Sequence, residues 1–256
     1  METAEGRLSE TWSLHLATSP ILEKGWTKKS GSIAVQVEWK RAIVRATART
    51  MISENGVDGV HMRQLADRCR IAPQTLYNNF GGRDRIILSA IDELLTLQLT
   101  TARRQASLER RNQILSVCDL TAALIEAEAY TRAVTQSLVD STEDTPLRRL
   151  ISERSTAFDI EGLEGMRRDG ALHSWIEISA VVDMLESIRF TALKRWARGG
   201  LSEVGGLRRQ MTSSVGACLI GIARGAAREA IERQIQDTYS NYRPKTPIER
   251  GLLNNG

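Results

Sequence analysis

Apolar residues recur at every third or fourth position along most of the chain, which is the spacing of an amphipathic α-helix. In the first such segment, between Val37 and Asn55, this spacing joins Val44, Ala48, Met51 and Ile52. Branched apolar residues nowhere alternate with polar ones over a convincing strand length. The pattern therefore predicts an all-α protein.

Two short helices and several longer ones are predicted after the first. The short ones cover about residues 62–69 and 73–80, where Pro73 occupies a favourable first-turn position and Gly81 ends the second of them. The longer helices are predicted at 83–104, 111–139, 145–169, 177–198 and 206–237. Whether the helix at 111–139 is divided is left open.

Breaks in the helical spacing divide the chain into four parts. We expect an irregular extension over residues 1–35, a three-helix domain over 36–88, a larger helical domain over 89–240 and a loose tail over 241–256. Glycine, proline and scattered hydroxyl residues interrupt the pattern in the first part, and two prolines interrupt it in the last.

The net charge of +4 is concentrated in the predicted three-helix domain. Residues 36–88 carry nine Lys or Arg against five Asp or Glu, whereas the two signs cancel in the rest of the chain. A local surplus of positive charge attracts a polyanion, because binding releases its counterions. A solvated basic surface explains so small a surplus equally well, so charge alone leaves both interpretations open.

Residue types that carry catalysis or bind metals are scattered. Cys69, Cys118 and Cys218 lie far apart without CxxC spacing, which argues against disulfides or zinc and suits the reducing cytoplasm. The three histidines have no partners at the spacing of a catalytic triad or of metal ligands, and no phosphate-binding glycine loop follows a strand. We expect no enzymatic activity, no catalytic residue, no metal and no cofactor. The longest apolar runs are too short for a bilayer, so no membrane partner is expected.

The two short helices are joined by a short turn, which is the outline of a helix-turn-helix. The second helix of such a motif enters the major groove of DNA by its N-terminal end. Residues 73–79 read Pro-Gln-Thr-Leu-Tyr-Asn-Asn, which leaves Leu76 for packing and polar side chains for DNA. Glutamine and asparagine can pair with adenine, and hydroxyls suit phosphate oxygens. Any small helical hairpin shares this outline.

The segment from Gly59 to Ile86 (GVHMRQLADRCRIAPQTLYNNFGGRDRI) resembles the DNA-binding signature of the TetR family. The positions that match the signature are Leu65-Ala66, Ile71, Thr75-Leu76-Tyr77, Phe80 and Arg83. Two positions depart from it, since Arg70 stands where glycine is common and His61 stands where Thr or Ser usually caps the helix. At Arg70, either the turn tolerates a side chain or the backbone is strained. The resemblance covers about residues 37–95, a quarter of the chain.

The resemblance implies a sequence-specific transcriptional regulator, a ligand-responsive repressor that binds a palindromic operator in double-stranded DNA as a homodimer. Arg63 and Gln74 fall where base edges are commonly read, Thr75 and Tyr77 fall near the DNA backbone, and Arg83 keeps the charge of a lysine near a phosphate. The residues expected to contact DNA are Arg63, Gln74, Thr75, Tyr77, Asn78, Asn79 and Arg83. A helical protein-interaction adaptor without specific DNA binding is the alternative.

The resemblance also implies that the later helices bind a small-molecule effector and dimerise through the last two long helices. An apolar stripe in 177–198 and small residues in 206–237, including Gly216, Ala217 and Gly221, are compatible with this. An intramolecular core explains both stripes as well. The effector stays unidentified. Five aromatic residues either line a ligand pocket or pack in the core, and three basic residues either bind an anionic ligand or face solvent. These residues are Tyr130, Phe158, Trp175, Phe190 and Trp196, and Arg189, Lys194 and Arg195.

Overall fold

The computed structural model describes residues 33–141, 145–201 and 203–240. These residues form ten α-helices and no β-strand, which confirms the all-α prediction. The helices are α1 (Ile33–Asn55), α2 (Met62–Cys69), α3 (Pro73–Phe80), α4 (Arg83–Glu109), α5 (Gln113–Ala127), α6 (Ala129–Asp140), α7 (Pro146–Arg168), α8 (Ile178–Ala197), α9 (Gly206–Ile222) and α10 (Gly225–Ser240). The predicted extension up to residue 32 and the predicted tail lie outside the described residues.

Helix boundaries differ from the sequence prediction at several places. The first helix begins at Ile33, four residues before the predicted start, and α4 continues to Glu109. The open question about 111–139 is resolved, because Glu128 has extended backbone and separates α5 from α6.

The prediction of one helix over 206–237 is wrong, because α9 ends at Ile222 and α10 begins at Gly225. Ala223 is extended and forms an isolated antiparallel bridge with Leu172. The backbone N–H of His173 donates to the carbonyl oxygen of Ile222 at 3.2 Å, which ties the break to the loop before α8. The backbone groups at the break therefore bond to a distant segment instead of continuing the helix.

The helix-turn-helix shares its apolar core with the helices that follow. Leu65 of α2 and Leu76 of α3 pack in one buried cluster with Ile52 of α1 and Ile86 of α4, and the cluster continues to Phe158 of α7. The predicted domain boundary between residues 88 and 89 falls within α4, so one continuous helix joins the two predicted domains. The division into domains stays a prediction.

A second buried cluster joins α5 to the last three helices, and its members include Leu115, Leu185 and Leu207. Most of the apolar stripe predicted on 177–198 lies in this cluster, so it serves the core of the chain itself. A Cβ atom on Gly216 would lie 2.4 Å from Cδ1 of Ile235, so this glycine allows α9 to approach α10.

Two arginines of α1 share one carboxylate of α4. Nη1 of Arg49 lies 2.6 Å from Oε2 of Glu93, and Nε of Arg45 lies 3.1 Å from the same oxygen. Arg49 is 0% exposed, so this charge is held entirely by its contacts within the protein. Such a buried network fixes the position of α1 against α4, because removing one partner leaves an uncompensated charge.

No helix in residues 33–141, 145–201 and 203–240 is long and apolar enough to cross a bilayer. Within the same ranges, no three His, Cys, Asp or Glu side chains converge where a metal ion could be held.

Candidate nucleic-acid interface

The turn between α2 and α3 is closed by a left-handed arginine. Arg70 has φ 53° and ψ 45°, and its backbone N–H donates to the carbonyl oxygen of Asp67 at 3.1 Å. The next N–H, of Ile71, donates to the carbonyl oxygen of Ala66 at 3.0 Å. Glycine adopts this conformation freely, whereas a residue with a side chain is disfavoured by roughly 1–3 kcal/mol. Of the two possibilities open from the sequence, the structure has the strained backbone.

Neither helix of the motif has a side-chain cap at its N-terminus. His61 precedes α2 with extended backbone and makes no capping hydrogen bond, as expected for a poor cap. Ala72 precedes α3 and cannot cap it, although Pro73 at the first turn needs no partner for a backbone N–H. The start of α2 must therefore be held by other contacts.

The recognition helix α3 presents most of its polar side chains to solvent. Gln74 and Asn78 are exposed, and Nε2 of Gln74 donates to Oδ1 of Asn78 at 3.0 Å. Tyr77 is 49% exposed, while Leu76 is buried and anchors the helix from behind. These side chains form one polar surface that DNA can approach.

The remaining predicted contact residues on α2 and α3 lie beside this surface. Arg63 is exposed on α2, and Thr75 and Asn79 are half-buried on α3. The backbone carbonyl of Asn79 accepts a hydrogen bond of 3.4 Å from Nη2 of Arg41, which holds the end of α3 against α1. The structure thus brings six of the seven predicted residues together on the two helices of the motif.

Arg83, the seventh predicted residue, lies at the start of α4 and reaches back to the loop before α2. Its Nε donates to the carbonyl oxygen of Val60 at 2.7 Å, and its Nη2 donates to that of Val57 at 2.7 Å. Its Nη1 donates to Oδ1 of the exposed Asp84 at 3.0 Å. This use of the side chain was not foreseen, and no local sequence signal reports it. The predicted phosphate contact stays a prediction.

Two of the basic residues counted in the three-helix domain do not lie on its surface. Arg45 and Arg49 are buried against Glu93, which lies outside the basic segment. Arg45 and Arg49 share one face of α1 with the buried Ala42 and Ile52. This spacing was the sequence signal that could have identified both arginines as buried. The basic surface is therefore smaller than the sequence count indicates.

A cavity of about 160 Å³ lies behind the interface, between α4, α5, α6, α7 and α8, with one residue of α9. Of the five aromatic residues proposed for a pocket, Tyr130, Phe158 and Phe190 line it, whereas Trp175 and Trp196 do not. Most of the wall is apolar. Its apolar residues include Ile91, Leu94, Leu95, Leu99, Val117, Val134, Leu138, Ile151, Leu193 and Met211.

Arg189 and Asp159 in the cavity wall form an ion pair with each other. Arg189 of α8 donates through both terminal nitrogens to the carboxylate of Asp159 on α7, with a distance of 3.0 Å from Nη1 to Oδ1. Burial alone lowers the pKa of the Arg189 guanidinium, but its bonds with Asp159 outweigh this and the pKa is raised. The pair therefore joins α7 to α8 as a neutral unit.

Two neutral groups of the wall are held in their protonated form. Burial raises the pKa of the Cys118 thiol to about 12, so the thiolate does not form in the folded protein at neutral pH. Burial also raises the pKa of the Tyr130 hydroxyl, which has no hydrogen-bond partner. A buried donor without a partner costs about 1–3 kcal/mol.

Solved transcriptional regulators share this fold. SmeT, the repressor of the Stenotrophomonas maltophilia multidrug efflux pump SmeDEF, is 14% identical over 73% of this chain and 92% of its own, with a TM-score of 0.56. FadR from Bacillus subtilis, solved with stearoyl-CoA, is 16% identical over 70% and 98%, with a TM-score of 0.57. FadR from Thermus thermophilus, solved with lauroyl-CoA, is 18% identical over 73% and 97%, with a TM-score of 0.56.

A family model matches the amino-terminal helices of the described structure. No match was found among curated proteins. Residues 44–90 match the model of the bacterial regulatory proteins of the tetR family, and they contain all of α2 and α3. Residues 44–90 therefore match the family model of the tetR regulators, and the described residues have the helical fold of solved transcriptional regulators.

Proposed function

We propose that the protein is a transcriptional repressor that binds a palindromic operator as a homodimer and releases it when a small molecule enters the cavity. The observation that carries the proposal is the exposed polar surface of α3, held in place by the buried Leu76. Side-chain amides on such a helix match the donors and acceptors of base edges in the major groove. A regulator of this kind works in the cytoplasm, where its DNA is, and needs no enzymatic activity.

The side chains of the interface take different roles in this proposal. Arg63 and Gln74 read base edges, and the amide of Asn78 keeps Gln74 oriented through their hydrogen bond. Thr75 and Tyr77 bind phosphate oxygens and set the position of α3 on the duplex. Asn79 contributes at the edge of the surface.

Arg83 serves the interface in two ways. Its Nε and Nη2 hold the loop before α2, as described above. Its Nη1 is paired with Asp84, whose side chain is 78% exposed. An exposed ion pair contributes little, so Nη1 can exchange this carboxylate for a DNA phosphate.

Two copies of the chain are needed because one short recognition helix reads few base pairs. We assign the dimer interface to the outer faces of α8 and α9, which pack against each other within one chain. The exposed residues there are mainly small or apolar and include Ala180, Met184, Thr191, Ala217 and Gly221, with two charged residues, Asp183 and Arg195, among the others. Interface centres are typically depleted in charge, which supports this choice.

The response to a ligand depends on α4. Its first residue, Arg83, holds the loop before α2, and Ile91 and Leu94 on the same helix line the cavity. A ligand that binds better to one position of α4 than to another shifts the balance between them, and with it the position of the motif. The two FadR structures were solved with acyl-CoA ligands, which supports a small-molecule effector here.

Selection from random duplex DNA tests the proposal. We expect the bound sequences to contain two inverted half-sites, with an affinity that falls steeply as salt rises. Gln74→Ala should relax the preference at one base pair of each half-site, by about 1–3 kcal/mol. Gln136→Ala, the same change on the exposed face of α6, is the control and should leave the preference unchanged.

Three outcomes contradict the proposal. Selection without enrichment favours the protein-interaction adaptor, and binding that is independent of salt argues against contact with phosphates. Enrichment of a single half-site argues against the homodimer.

A further inference from the structure

The size of the cavity limits its occupant. Its volume of about 160 Å³ is close to the roughly 150 Å³ of an engineered apolar cavity in another protein that binds benzene. Pockets for drug-sized ligands are larger, at about 300–1,000 Å³. The space suits a single ring or a chain of six to eight carbons, and it is too small for the acyl chain of stearoyl-CoA.

Among the described residues, the charges beside Phe190 do not balance. Among the charged groups of the wall, Asp159 and Arg189 neutralise each other. The carboxylate of Glu186 accepts a hydrogen bond of 2.8 Å from Oγ of Ser152. These contacts leave the wall with one further charged residue, Arg148.

Arg148 pairs with no carboxylate of the described residues, and its guanidinium carbon lies 4.0 Å from the centroid of the Phe190 ring. Nζ of Lys194 lies 4.6 Å from the same centroid. Within the wall, Arg148 balances the carboxylate of Glu186. Lys194, beside the Phe190 ring but outside the wall, therefore leaves one positive charge in surplus among the described residues. A monoanion would neutralise it.

The interior of the cavity also has a polar group without a partner. The hydroxyl of Tyr130 is buried, and Tyr130 is 4% exposed. An acceptor atom of a ligand would satisfy this donor. Most of the remaining wall is apolar, so the ligand needs an apolar body.

We propose that the effector is a compact, apolar monocarboxylate, either aromatic or with a short chain, whose acid group pairs with Arg148. This inference rests on the proposed function only in calling the ligand an effector. Binding of the ligand to the cavity requires no DNA. The acid group lies beside Phe190 and the apolar body lies among the leucines of α4. The carboxylate of the ligand stays ionised, as it is in water at neutral pH, because the surplus positive charge favours the ionised form.

Calorimetry on the full chain without DNA tests the ligand class with two matched sets of probes. One set is benzoate, benzyl alcohol and benzylamine, and the other is hexanoate, hexanol and hexylamine. In at least one set, the carboxylate should bind at least ten-fold more tightly than the alcohol and the amine of the same set. Laurate should bind no more tightly than hexanoate.

Variants of Arg148 locate the acid group. Arg148→Gln should weaken the carboxylate at least ten-fold and change the affinity for the alcohol less than two-fold, which also shows that the cavity is intact. Arg148→Lys keeps the charge and should retain the preference for the carboxylate. Arg168→Gln, on the exposed surface of the same helix, is the control and should bind as the parent does.

The inference is overturned if neither carboxylate binds, if an alcohol binds as tightly as its carboxylate, or if laurate binds more tightly than hexanoate. Tighter binding of an amine also overturns it and indicates Glu186 as the recognising group. Release of the selected operator is then measured with the same carboxylate. Binding without release leaves the ligand class established and contradicts only the proposed regulation.

Discussion

The guanidinium of Arg83 holds the loop before α2, a helix whose N-terminus has no side-chain cap. His61 gives α2 no side-chain hydrogen bond, so the loop before α2 is fixed instead through the carbonyls of Val57 and Val60, which accept from Arg83. A planar guanidinium can donate to both carbonyls at once from a fixed geometry, whereas an ammonium group is a single point. The side chain of Arg83 therefore fixes the loop before α2 and also contributes a positive charge near the motif.

Arg83→Lys separates these two roles. We expect it to lower the free energy of unfolding by about 1–3 kcal/mol, since hydrogen bonds from a charged group are lost. Operator affinity should fall while the dependence of affinity on salt stays the same, because the charge remains. Denaturant unfolding and binding at several salt concentrations measure this. If the lysine variant has the same free energy of unfolding and the same operator affinity as the parent, Arg83 acts only through its charge.

Local signals made the recognition helix predictable at the level of residues. Pro73 starts α3, Leu76 anchors it and Gly81 ends it, and each acts within a few positions of its own place in the chain. Long polar side chains behave differently, because their partners are set by tertiary packing. The carbonyls that Arg83 binds lie 23 and 26 residues earlier, and the partner of Arg49 lies 44 residues later.

At the scale of elements, the break between α9 and α10 shows why periodicity overestimates helix length. Apolar spacing continues from Val215 to Ile231, so nothing in the pattern marks an end at Ile222. The end is imposed by hydrogen bonds with Ala171 and His173, which lie about fifty residues earlier. The apolar spacing that predicted a helix over 206–237 is also the reason that its end at Ile222 was missed.

One buried ion pair, between Asp159 and Arg189, contributes to the pairing of α7 with α8. Asp159→Asn should lower the free energy of unfolding by about 3–5 kcal/mol, because Arg189 then keeps a buried charge without a counter-charge. Chemical denaturation followed by circular dichroism measures the loss.

A double variant supplies the control for this pair. Asp159→Leu combined with Arg189→Met removes both charges and should recover most of the stability, since an apolar pair of similar volume often replaces a buried ion pair at little cost. If the single asparagine variant is as stable as the parent, the pair does not hold α7 to α8.

At the scale of the whole molecule, the proposed dimer depends on which face of α9 is outward. Gly216 faces α10 within the chain, whereas Ala217 and Gly221 are exposed. Ala217→Arg should raise the dimer dissociation constant at least ten-fold, because it buries a charge at the centre of the interface (about 1.4 kcal/mol per factor of ten). Sedimentation equilibrium measures this.

Ala157→Arg is the matched control for the dimer, since it makes the same change on the exposed face of α7. It should leave the dissociation constant unchanged. A parent protein that is monomeric at all concentrations, or an unchanged dimer in Ala217→Arg, would exclude the assigned interface.

The continuity of α4 has a geometric consequence. Arg83 and Leu94 lie eleven positions apart on one unbroken helix, so the distance along its axis is about 16 Å. If the helix pivots by about 5° at the cavity, its first residue moves by roughly 1.4 Å, as the end of a rigid rod of that length does. Base recognition requires side chains within about 0.5 Å of their productive positions. A displacement too small to unfold anything can thus move the recognition helix out of register with its bases.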